Sequence, residues 1–171
     1  MDYAIRCNEI WAQAQIEAGA DALWLGDCLA TSKFISLDSF RELAAEPADI
    51  CAEIIRRHGG YSFYHGCESN LNYLDAAATL VNSSALNVGE SADLAEAQRR
   101  LGYRRCLMGN LDPIAGLMNA GPEESYAAAA ETVRKGRSQG TGYIFCTAEG
   151  IPHCVGLENV LACHRAVKSD V

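Results

Sequence analysis

Residues 61–70 read YSFYHGCESN, an apolar, aromatic run that climbs to His65-Gly66-Cys67 and then breaks into polar residues. Gly59-Gly60 stops whatever precedes it. A short apolar run with punctuation on both sides reads as a strand of a buried sheet. Along an extended segment, residues i and i+2 point to the same face. An imidazole and a thiol are therefore presented side by side where the strand ends. Both are ligands that suit zinc. The bland reading of an isolated His-X-Cys is a buried cysteine beside a hydrogen-bonded histidine.

Working outward, other apolar runs end in the same way. Ala22–Gly26 runs into Asp27-Cys28, Ala85–Gly89 into Glu90-Ser91, Arg105–Gly109 into Asn110-Leu111-Asp112-Pro113, and Tyr143–Thr147 into Ala148-Glu149-Gly150. Between them, apolar residues recur at helical spacing over 3–18, 37–58, 70–80, 92–101, 121–138 and 157–169, with a short helix at 114–119. Pro47 predicts a kink or a division into two helices, and Gly140–Gly142 a turn. Strands alternating with helices predict a parallel sheet with helices outside. Polar residues gathered at the carboxyl ends of such strands mark the active face of a (β/α)8 barrel. A doubly wound sheet would use the same ends, but no Gly-rich phosphate fingerprint follows any strand, so the barrel is preferred.

The count sets a limit. Eight strands take about 250 residues, and here five lie in 171. The expectation is an α/β chain forming a single domain over 1–171: the C-terminal portion of a TIM barrel, five parallel strands alternating with helices, without the N-terminal strands. An open, apolar sheet edge is a hazard. It predicts a homo-oligomer, pairing with a chain that supplies the N-terminal half, or a fragment.

Composition excludes several classes. The chain is 49% hydrophobic and carries a net charge of −8, and its arginine pairs close amphipathic runs, so nucleic acid is not expected as a partner. No run approaches the ~18 apolar residues of a membrane span, and the N-terminus lacks a basic-then-apolar signal. A cytoplasmic protein is expected, with its eight cysteines reduced. Cys51, Cys163 and Cys7 fall in helical patterns and read as packing or surface residues. Cys28, Cys67, Cys146 and Cys154 lie at or near strand ends.

The segments GADALWLGDCLATSKFIS, YSFYHGCESNLNYLDAAA, SADLAEAQRRLG, CLMGNLDP and YIFCTAEGIPHCVGLENV resemble the carboxyl half of the uroporphyrinogen decarboxylase superfamily. Within it they look closer to the cobamide-dependent methyltransferase branch. The resemblance covers about residues 10–168 and implies a (β/α)8 barrel with its site inside the strand ends. In that branch a His-X-Cys and a later Cys hold zinc. The zinc binds a thiol acceptor such as coenzyme M, and the thiolate takes a methyl group from a corrinoid on a partner protein. His65 and Cys67 match the first part of the motif. At the second, Glu149 stands where the methyltransferases have Cys, which makes a harder site, so the acceptor need not be coenzyme M. The metal set implied is His65, Cys67 and Glu149. Cys146 and Cys154 could substitute only if the loop folds back. The alternatives are a uroporphyrinogen decarboxylase-like lyase and a catalytically inactive, truncated half-barrel.

Among other strand-end residues, Asp27 and Glu90 are catalytic candidates, as a general base, a group orienting His65 or a fourth ligand; the competing reading is helix capping. Asn110 and Asp112 are candidates for binding a cofactor or substrate, against simply shaping the loop before Pro113. His58 and His164 read as surface residues.

Overall fold

The computed structural model describes residues 1–139 and 142–169; Gly140 and Thr141 of the expected turn lie outside these. The elements alternate as expected: α1 (Asp2–Glu17), β1 (Ala22–Gly26), α2 (Leu37–Ser39), α3 (Ala45–Arg57), β2 (Tyr61–His65), α4 (Leu71–Leu80), β3 (Ala85–Asn87), α5 (Leu94–Leu101), β4 (Cys106–Leu111), α6 (Pro122–Gly136), β5 (Tyr143–Thr147) and α7 (Leu157–Lys168). Up to Asn87 the strand order is β1-β2-β3, and from Val88 on β4 lies beside β5. The segment read as a single domain contains two compact units, Met1–Asn87 and Val88–Val171.

In the first unit β1 and β2 pair in parallel, with Trp24 opposite Phe63 and Gly26 opposite His65, and β2 pairs in parallel with β3. Leu23 packs with Ala12, Ile54 and Ile55 beneath α1 and α3. Strand alternation then puts Trp24 on the opposite face, together with Tyr61, Phe63 and His65. On that face Trp24 and Tyr61 stay exposed, whereas Ser62 and Tyr64 on the helix side are buried. In the second unit β4 and β5 pair in parallel over five residue pairs. A core of Leu111, Leu117, Ala129, Cys163 and Ala166 lies between them and helices α6 and α7. Small residues in the alanine run of α6 allow that close approach. Parallel strands, each followed by a helix leading to the next, are the α/β arrangement of a partial (β/α)8 barrel.

Local differences have identifiable causes. The 37–58 stretch divides into two helices, the second of the outcomes expected from Pro47, rather than kinking at the proline. It breaks earlier, as a π-helical turn over Phe40–Ala44, and Pro47 falls in the first turn of α3, where its missing N–H costs no hydrogen bond. The short helix near 114 is likewise a π-helical turn, Ile114–Met118. Helix α6 starts as read, with Pro122 in its first turn and Glu124 accepting from the Gly121 N–H at 2.7 Å. β4 extends two residues past Gly109, and β3 stops two short of Gly89. No helix is long and apolar enough to cross a membrane among the described residues.

Gly136 ends α6 where the helix crosses β5. A Cβ there would land on the Tyr143 ring, which is pinned by its hydroxyl donating to the Gly109 carbonyl. Alanine would gain up to about 1 kcal/mol of helix propensity, but overpacking costs about 1–3 kcal/mol and breaks the tyrosine's hydrogen bond. Gly136→Ala is therefore expected to lower the melting temperature by roughly 3–10 °C, read by thermal unfolding followed by circular dichroism.

Candidate metal centre

His65 is the last residue of β2, and Cys67 follows in the loop. Their contact is real, but it does not come from strand pleating. The strand has ended, and Cys67 turns into the left-handed region at φ +52°. Its N–H donates to Asn87 Oδ1 at 3.0 Å, and Asn87, at the end of β3, is 1% exposed. This turn swings the thiol back onto the imidazole, with Sγ 2.8 Å from His65 Nε2. Both side chains are buried. The Trp24 ring lies against His65 at 4.4 Å between centroids.

A third candidate donor lies in the loop after β1. Cys28 Sγ is 3.9 Å from Cys67 Sγ, and Cys28, His65 and Cys67 place their ligand atoms within 4.8 Å of one another. Two thiolates on a tetrahedral zinc, each about 2.3 Å from the ion, stand roughly 3.8 Å apart, which matches the sulfur pair. A nitrogen and a sulfur on the same ion stand roughly 3.5 Å apart. His65 and Cys67 would have to separate by well under 1 Å, a side-chain rotation. The donor set fits zinc.

The loop carrying Cys28 is clamped to the end of β2. The Asp27 N–H donates to the His65 carbonyl at 2.8 Å, and Tyr64 donates its hydroxyl to Asp27 Oδ2 at 2.8 Å. Burial, then the Asp27 charge, pushes the Tyr64 phenol well above its ordinary range, so it stays a donor. Glu68, 8% exposed, accepts from the Ser32 N–H at 2.6 Å, the Ser32 hydroxyl at 2.8 Å and the Asn70 N–H at 2.6 Å. The Tyr73 hydroxyl donates to the Ile35 carbonyl.

Other candidates are placed as follows. Asp27 caps no helix; Ser36 caps α2. Its observed role is to anchor the loop to Tyr64 and His65. Glu90 is half-buried after β3, and Asp93 rather than Glu90 caps α5, accepting from Ala95 and Glu96 at 3.0 and 3.3 Å. Asn110 donates to the carbonyls of Gly89 and Ala92 at 2.9 and 3.0 Å. Asp112 accepts from the N–H groups of Ile114 and Ala115 at 2.7 and 3.0 Å. Their hydrogen bonds shape the loops after β3 and β4. Glu149 follows β5 in the second unit. Burial pushes the Cys146 thiol up to about 11. No cysteine among the described residues is in a disulfide.

Sequence reasoning marked Cys28 as a strand-end cysteine but left it out of the metal set, and it passed over Glu68 and Asn87. The signal for Cys28 was its matching position, one residue past a strand-end acid. A carboxylate with three donors and an asparagine holding a left-handed turn leave no local pattern. Replacing Glu68 by Gln puts an amide N–H against backbone donors. Glu68→Gln is expected to cost about 1–3 kcal/mol of stability and, by loosening the loop that carries Cys28, to weaken zinc binding by roughly 10–100-fold. Denaturant titration and competition against a chromophoric chelator measure the two effects.

The family model described as uroporphyrinogen decarboxylase (URO-D) matches residues 1–169. A uroporphyrinogen decarboxylase from Coxiella burnetii is 32% identical over 162 residues, which are 93% of this chain and 43% of that protein. One from Cellvibrio japonicus is 32% identical over 164 residues, 92% of this chain and 44% of that protein. Among solved structures, a methyltransferase from Methanosarcina mazei superposes with a TM-score of 0.84 at 26% identity, covering 96% of this chain and 47% of that one. The chain thus spans less than half the length of these relatives. With a strand-end donor cluster on a partial barrel and a family model matched along nearly its whole length, the chain belongs to the uroporphyrinogen decarboxylase family.

Proposed function

We propose that this chain is the metal-bearing half of a zinc-dependent methyltransferase that moves a methyl group between a corrinoid and a thiol or related acceptor. The observation that carries the reading is the buried imidazole–thiol contact between His65 and Cys67 at 2.8 Å. The likeness to the Methanosarcina mazei methyltransferase supports it. Glu149 is proposed as a further donor of the same site, where the related methyltransferases carry Cys. A carboxylate is an ordinary zinc ligand.

In this reading His65 and Cys67 would hold the ion, His65 as a neutral imidazole and Cys67 as the thiolate, and the thiol proton would be released to solvent as the metal binds; the 2.8 Å contact already brings the two donors together. Zinc supplies Lewis acidity, which lowers the pKa of a coordinated acceptor thiol. Trp24, against the His65 ring, restricts that ring's motion and shields one side from water. With the ion bound, these residues would hold an acceptor sulfur ready to take a methyl group from a corrinoid, the methyl–cobalt bonding pair being left on cobalt. Asp27 and Glu90 are proposed to stabilise the site's charge and loops, and Asn110 and Asp112 to shape its rim. A corrinoid protein is the proposed methyl donor or recipient. The exposed Trp24 and Tyr61 belong to a face that the amino-terminal half of the barrel would cover. That half is proposed to come from further sequence, a second copy or a companion chain.

A decarboxylase reading is favoured by the 32% identity to uroporphyrinogen decarboxylases. Its substrate is a many-carboxylate tetrapyrrole, which calls for cations. The strand ends of the first unit instead offer Asp27, Cys28, His65, Cys67 and Glu68, a neutral-to-acidic set.

The deciding experiment loads the full chain with zinc and supplies methylcobalamin and 2-mercaptoethanesulfonate, with and without a companion chain carrying the amino-terminal half. A single zinc ion per chain, loss of that zinc in Cys67→Ala, and zinc-dependent decay of the methyl–cobalt absorbance are expected. Failure to bind zinc, or decarboxylation of uroporphyrinogen without metal, would overturn the proposal.

A further inference from the structure

Cys28 lies in the loop after β1, and the methyltransferase resemblance assigns it nothing. Three observations single it out. Its sulfur is 3.9 Å from that of Cys67, the separation two thiolates adopt on one zinc. The loop is pinned on both sides of it, at Asp27 by the His65 carbonyl and the Tyr64 hydroxyl, and at Ser32 by Glu68. The thiol is exposed, so it is open to solvent and to metal exchange. An incidental surface cysteine would need none of this clamping. The hydrogen bonds converge on the short stretch that sets where its sulfur stands.

We infer that Cys28 is a zinc ligand, supplying from β1 the second thiolate that the substitution of Glu149 for Cys removes at the end of β5. The inference rests on the zinc reading above and changes its chemistry. With His65 and Cys67 alone the site carries a single thiolate. With Cys28 it regains the two-sulfur, one-nitrogen set that suits zinc over harder cations. A coordinated acceptor is then more electron-rich, so its sulfur is the better nucleophile. Three donors from the first unit leave a tetrahedral ion one position. Glu149 and an acceptor thiol must share that position, or the coordination must expand to five.

The test uses the full chain, reduced and stripped of metal, then incubated with and without zinc. Zinc occupancy is measured by competition with a chromophoric chelator. Alkylation by iodoacetamide is followed residue by residue by peptide mass spectrometry. Cys7 and Cys154, both exposed, serve as internal controls. Zinc is expected to slow alkylation of Cys28 at least tenfold and to leave the two controls unchanged. Cys28→Ser is expected to weaken zinc binding by roughly 100-fold or more, beyond the ~10–100-fold that loss of a supporting residue costs. The metal-free variant should melt with the metal-free parent, since the side chain is exposed. If zinc binds but Cys28 reacts equally fast with and without it, or Cys28→Ser binds zinc as the parent does, the inference is wrong and the zinc reading stands. If the parent binds no zinc, both fall.

Discussion

The site depends on one buried hydrogen bond, from the Cys67 N–H to Asn87 Oδ1 at 3.0 Å. It holds a non-glycine residue at φ +52°, a conformation that costs roughly 1–2 kcal/mol. A buried amide hydrogen bond returns about 1 kcal/mol net, so this bond alone only balances the strain. The remainder comes from packing: Cys67 is 5% exposed and Asn87 1%, and an unmade bond at such depth would cost far more than a made one gains. The left-handed turn is therefore over-determined by its surroundings. Without it the chain would leave His65 extended and carry the thiol away from the imidazole.

The same logic extends one strand further. Asn87 ends β3 and fixes the loop after β2; Glu68 and His65, in and before that loop, fix the loop after β1. Each parallel strand end thus positions its neighbour's loop. Position is conveyed through rigid backbone and buried polar groups, which suits a site whose donors must agree to within a fraction of an ångström. Tyr64 links the layers. Its ring is buried on the helix side, and its hydroxyl reaches Asp27 beside Cys28. Packing of helices on the outside is in this way coupled to donor placement at the strand ends.

What the sequence made legible follows from this. Strands β1, β2 and β5 could be bounded to the residue, because each is a short apolar run closed by glycine or polar residues. β4 was misjudged at its end because Asn110 and Leu111 continue the ladder although Gly109 looks like a stop. Pro47 was read as a kink or a division into two helices because proline's missing donor matters inside a helix; the division occurs, and nothing local said that the second helix starts two residues before the proline. The His65–Cys67 pairing was legible, but for the wrong reason: the strand period predicts it, and a left-handed turn produces it. Cys28 was visible as a strand-end cysteine. That it meets Cys67 required the register of β1 on β2, in which Gly26 stands opposite His65, so that residues just past either end fall side by side. Asn110 and Asp112 show the reverse limit. Polar strand-end residues look alike in sequence whether they face a ligand or hold a loop, and their hydrogen bonds here go to backbone.

Sequence identity points toward decarboxylases, at 32%, and the solved neighbour toward a methyltransferase, at 26%. A shared fold does not carry a function with it; the site does. The side chains gathered at the ends of β1 and β2 are two thiols and an imidazole, backed by the carboxylates of Asp27 and Glu68. Such a set repels a polyanion and attracts a soft, doubly charged cation. Both carboxylates accept hydrogen bonds that orient the loops, which holds them near the donors. A cluster that concentrates soft donors in this way is compatible with a metal ion such as zinc.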